Sequence, residues 1–78
     1  MNKKDRKEIA LINDILNEVN DRISDLTTGL EEKQANLEEY FPTMTEQLED
    51  EIIALGYANE YVTDAVETLE EAVEVYKR

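Results

Sequence analysis

The chain has 78 residues, with 20 acids against 8 Lys and Arg, no histidine and no cysteine, and its formal charge is −12. These values set one small domain near the lower limit for a self-sufficient core and exclude disulfides. They also exclude the His and Cys metal sites and the nucleophile–base pairs that need those side chains.

The distribution of charge says more than its sum. Lys3, Lys4, Arg6, Lys7, Lys77 and Arg78 stand at the termini. Between Glu8 and Tyr76, two cations, Arg22 and Lys33, face 19 acids, a balance of −17. A body of this kind repels nucleic acid and anionic lipid and attracts basic surfaces. No apolar run reaches the roughly 18 residues of a membrane span, and no signal-type apolar segment follows the basic start, so a soluble, cytoplasmic protein is expected.

From Ile9 the apolar residues keep a heptad, which predicts helix 1 over about 5–40. Ile9, Leu16, Ile23, Leu30 and Leu37 hold one seam position, and Ile12, Val19, Leu26 and Tyr40 the other, interrupted by Lys33. Thr27-Thr28-Gly29 is the weak point, since glycine costs about 1 kcal/mol in a helix interior. The heptad phase passes through it unshifted, so a single continuous helix is expected.

The turn is expected over residues 41–45. Pro42 lacks an amide donor and disfavours helix at Phe41, while Thr43 and Glu46 have the spacing of a capping box. Helix 2 follows over about 45–77, with Thr45, Ile52, Asn59, Val66 and Val73 at one seam position and Leu48, Leu55, Val62, Leu69 and Tyr76 at the other. The connection is short, so the helices are expected to lie antiparallel, with seam partners whose numbers sum to 85. Asn59 reads as a polar residue that specifies register, and Lys33 as a side chain that snorkels toward the flanking acids.

A second stripe on helix 2, through Ala54, Ala58, Tyr61, Ala65, Ala72 and Val75, suits close packing against another helix. Ala54, Ala58, Ala65 and Ala72 are therefore the expected oligomer interface. The fold expected is all-α, an antiparallel two-helix, coiled-coil-like hairpin that dimerises into a four-helix bundle.

Catalysis has little to use here, because acid–base work by carboxylates needs a concave, desolvated site. No cofactor and no metal are expected, and the protein reads as a non-enzyme. The functional candidates are acids on the outer side of helix 2, Glu46, Glu49, Asp50, Glu60, Asp64, Glu67 and Glu71, with Ile53, Tyr57 and Tyr61 as anchors for a protein partner. A 32-residue helix is about 48 Å long, so 19 carboxylates give about one per 2.5 Å. Duplex DNA carries one charge per roughly 1.7 Å, the same order. Two readings stand side by side. In one, the acids imitate nucleic acid toward a basic protein; in the other, they are a solvated helix face on an assembly module.

The run Leu37-Glu38-Glu39-Tyr40-Phe41-Pro42, with Ala65-Val66-Glu67-Thr68-Leu69-Glu70-Glu71-Ala72 after it, resembles a group of small acidic helical proteins of Gram-positive bacteria and their phages. The resemblance implies a helical hairpin and a phage or mobile-element origin. By analogy it implies an inhibitor of a nucleic-acid-binding protein, of the anti-restriction or anti-CRISPR type.

Overall fold

The computed structural model describes residues 1–41, 43 and 45–77, with the side chains of Tyr76 and Lys77 left aside. Pro42, expected to break the helix, and the Tyr76 side chain, expected to close the seam, lie outside the described residues. Among the described residues the fold has two helices, α1 over Lys3–Tyr40 and α2 over Glu46–Lys77. They pack along their length as a rod with extents of 58 × 15 × 12 Å.

α1 begins earlier than the heptad suggests because Asn2 caps it. The Asn2 side-chain oxygen accepts from the Asp5 amide at 2.8 Å, and the Asn2 amide donates to the Asp5 carboxylate at 3.1 Å. This reciprocal box satisfies two of the donors a helix start leaves unpaired. α1 then passes unbroken through Thr27-Thr28-Gly29. The Thr27 and Thr28 hydroxyls donate back to the carbonyls of Ile23 and Ser24, at 2.8 and 3.0 Å, and are satisfied without leaving the helix. The helix ends at Phe41, whose backbone amide still donates to the Leu37 carbonyl and whose φ of −140° is no longer helical.

α2 starts at Glu46, and the Thr45 carbonyl accepts its first helical bond, from the Glu49 amide at 2.9 Å. The cap position is therefore Thr45, two residues past the Thr43 expected from the Thr43–Glu46 spacing. Thr45 and Leu48 are the buried residues among those described, at 6% and 9% exposure. The interior is thus most enclosed beside the turn.

The seam departs from expectation on one helix. On α2 both rows are half-buried or buried, through Leu48, Ile52, Leu55, Asn59, Val62, Val66, Leu69 and Val73. On α1 the row Ile9, Leu16, Ile23, Leu30 and Leu37 is half-buried, but its companions are Asn13, Asn20, Thr27 and Gln34. Ile12 and Val19 are 36% and 38% exposed, and Leu26 and Tyr40 lie further out. The reason is a rotation of α1 about its own axis. Residues three before and four before Ile23 flank the Ile23 row on opposite sides, since each residue advances by about 100°. The polar flank is the one turned inward, where Asn20 Nδ2 donates to Thr63 Oγ1 at 3.1 Å and Asn59 Nδ2 donates to Ser24 Oγ at 3.4 Å. Both pairs have numbers that sum to 83, two less than the register expected from matched hydrophobic layers.

Candidate interaction surfaces

The rotation of α1 gives the hairpin two unlike broad sides. Asn20, Ser24, Asn59 and Thr63 mark one side by their cross-helix bonds. On α2, Asn59 and Thr63 flank the Val62 row on that side, and Ala58 and Ala65, four before and three after Val62, flank it on the other. On α1, Val19 lies across the Leu16–Ile23 row from Asn20. The apolar flanks of both helices therefore face the same way. Ile12, Ile15, Val19 and Leu26 of α1 share that side with Ala54, Ala58, Tyr61, Ala65, Ala72 and Val75 of α2.

This placement divides the expected alanine interface. Ala58 and Ala65 are half-buried, partly shielded by the hairpin seam, while Ala54 and Ala72 are exposed. Large apolar residues on this face come from both helices, Ile15 and Leu26 of α1 at 60% and 56% exposure and Tyr61 and Val75 of α2 at 71% and 65%. The heptad reading assigned Ile12, Val19 and Leu26 to the seam, and so missed them as surface. The signal that could have found them is Asn13, Asn20, Thr27 and Gln34, a second, polar row with the same seven-residue spacing.

The expected partner-binding acids Glu46, Glu49, Asp50, Glu60, Asp64, Glu67 and Glu71 are all exposed. Ile53 and Tyr57 are exposed among them on the outward side of α2, and Tyr61 sits at the edge shared with the apolar face. Nineteen acids between Glu8 and Glu74 along a 58 Å rod amount to about one per 3 Å, close to the roughly 3.4 Å charge spacing along one strand of a duplex. Arg22, one of the two interior cations, is turned to Glu18 at 2.8 Å in an exposed pair on the same helix. It therefore offsets α1 rather than α2, and such a pair adds little stability.

A comparison with known protein families, with curated proteins and with solved structures finds no match.

The turn end is notable for where its acids stand. Glu38 and Glu39 occupy the last turn of α1, which has no basic residue, and so lie at the negative end of the helix dipole. An acid there costs about 0.3–1 kcal/mol. Glu46 and Glu49 stand in the first turn of α2, where the dipole favours them. The two helix ends therefore gather carboxylates at one pole of the rod, partly against local stability. At the open end a groove of about 270 Å³ is lined by Arg6, Ile9, Ala10, Asn13, Glu70, Val73 and Glu74. No group of three or more acids placed to hold a metal ion occurs among the described residues. No helix among them is long and apolar enough to cross a membrane.

Proposed function

We propose that this chain acts as a non-enzymatic, dimeric acidic inhibitor, occupying the basic groove of a nucleic-acid-binding protein in place of the nucleic acid. The observation that carries the reading is the charge along the rod, 19 acids against two cations over the body, at a spacing near that of a nucleic-acid strand. Glu38 and Glu39 support it, because they add negative charge at the turn end although the helix dipole disfavours them there. Ile53 and Tyr57, apolar anchors inside a rim of carboxylates, fit the usual anatomy of a protein-binding hot spot. The anti-restriction and anti-CRISPR type of target follows from the same logic, since those enzymes present long basic channels to nucleic acid.

The test is capture from host lysate on immobilised protein at low salt, followed by elution with duplex DNA and, separately, with rising salt. The expected result is a nucleic-acid-binding protein released by both. Captured proteins that DNA does not displace, or no capture at all, would overturn the reading.

A second reading has its own supporting observation, the apolar side formed by Ile12, Ile15, Val19 and Leu26 with the alanines of α2. On that reading the chain is an assembly module and the acids serve solubility. Neutralising Glu60, Asp64, Glu67 and Glu71 separates the two, because only the inhibitor reading requires those charges.

A further inference from the structure

We infer that two copies of the hairpin pack through this apolar side in an antiparallel arrangement, with a two-fold axis crossing the rods at the level of Val19 and Ala65. The inference rests on the dimer and is independent of mimicry.

The area argues for a covering partner. A compact chain of 9.0 kDa exposes about 4,850 Å². This hairpin exposes 6085 Å², an excess of about 1,200 Å² over that compact value, and a standard stable interface covers about 800 Å² on each partner. The excess is what a rod only two helices wide cannot bury by itself.

The pattern argues that the partner is a second copy. On α1 one row of the apolar side reads Asp5, Ile12, Val19, Leu26 and Lys33. A two-fold axis at Val19 sets Val19 on itself, Ile12 on Leu26 and Asp5 on Lys33, so apolar meets apolar and opposite charges meet at both ends. On α2 the matching row holds Ala58, Ala65 and Ala72, and an axis at Ala65 sets Ala65 on itself and Ala58 on Ala72. The two centres coincide. Residues of equal height have numbers summing to 83, and Val19 with Ala65 sums to 84, a difference of about 1.5 Å along the rod.

Face-to-face packing permits one other two-fold axis, parallel to the rods, which sets α1 on α2 and both turns at the same end. It too makes reasonable contacts, with Val19 on Ala65 and Lys33 opposite Glu51. Charge decides against it. It brings Glu31, Glu32, Glu38, Glu39, Glu46, Glu49, Asp50 and Glu51 of both copies to one end and the basic amino-terminal segments to the other. The antiparallel arrangement instead sets Lys3, Lys4 and Lys7 at the height of the acidic α1 segment of the second copy. Adjacent helices lie 8–10 Å apart, comparable to the roughly 8 Å screening length at physiological salt, so this difference persists there.

Cysteine substitution tests the arrangement cleanly, since the chain has no cysteine of its own. Val19→Cys and Ala65→Cys are made separately and mixed, and cross-linked by mild oxidation or a short bis-maleimide. The antiparallel dimer predicts that each variant links efficiently to itself, and that the mixture yields little of the mixed pair. A mixture dominated by the mixed pair, with poor self-linking, would overturn the antiparallel geometry while leaving a dimer. Wild-type protein that sediments at 9.0 kDa, rather than twice that, at about 100 µM would overturn the dimer itself. Val19→Glu, on an already exposed flank of the hairpin, should keep the helical circular dichroism and give the monomer. A Val19→Glu protein that remains a dimer would also overturn the proposal.

Discussion

Replacing Asn13 by Leu should make the hairpin more stable, although it puts a larger apolar group where the chain has a polar one. Asn13 is half-buried in the seam, and its side-chain oxygen is enclosed without a hydrogen bond. Such an orphan costs about 1–3 kcal/mol. Leucine has the same branched skeleton of four side-chain heavy atoms, and the open groove that Asn13 borders takes up its greater volume. At half burial it adds about 1 kcal/mol of the roughly 1.5–3 available to a fully buried side chain. With the orphan cost taken at its low end, a net gain of about 2 kcal/mol is expected, or roughly 8–16 °C in Tm for a domain of this size. Urea unfolding followed by circular dichroism measures it, at a concentration dilute enough to hold single hairpins. The companion variant is Leu26→Asn, which should cost less than about 1 kcal/mol there because Leu26 is largely exposed. If Asn13→Leu gains nothing and Leu26→Asn costs several kcal/mol, the seam runs along Ile12, Val19 and Leu26. The rotation of α1 described above would then be wrong.

Other outcomes follow from single features. A Cβ at Gly29 or Gly56 meets nothing within 4 Å, so Gly29→Ala and Gly56→Ala should each add about 1 kcal/mol by helix propensity, read as a rise in urea midpoint at constant m. Asn2→Ala removes the reciprocal cap with Asp5 and should cost about 1 kcal/mol, with faster amide exchange confined to the first turns of α1. Replacing Glu38 and Glu39 by Gln should raise stability by up to about 1 kcal/mol each as the dipole conflict is lifted, while weakening any basic partner. Neutralising Glu60, Asp64, Glu67 and Glu71 together should lower the affinity for a captured partner at least tenfold and flatten its salt dependence. Unchanged affinity would favour the assembly reading.

Much of this was legible because it is local. The heptad of α1 and the two rows of α2 follow from spacing alone, and a helix responds to its own period wherever it sits. The continuity through Thr27-Thr28-Gly29 was legible from the unshifted phase. The cap at Asn2 is equally local, but its signal is weaker, with Asp5 where Glu or Gln is the usual partner. The exposure of Glu46, Glu49, Asp50, Glu60, Asp64, Glu67 and Glu71 also followed from their positions away from both apolar rows. Their purpose did not, since a solvated face and a binding face have the same residues.

What only tertiary structure decided is which side of α1 meets α2. The row Ile9, Leu16, Ile23, Leu30 and Leu37 belongs to both candidate seams, and apolar content alone favours the flank of Ile12, Val19 and Leu26. The choice depends on a rotation of one helix against another, which no period within α1 encodes. Asn20 and Ser24 settle it by bonding across to Thr63 and Asn59, groups more than 30 residues away along the chain. The sequence by itself determined two amphipathic helices and a turn. The packing decided that the polar flank lines the hairpin and that the more apolar one is left largely exposed.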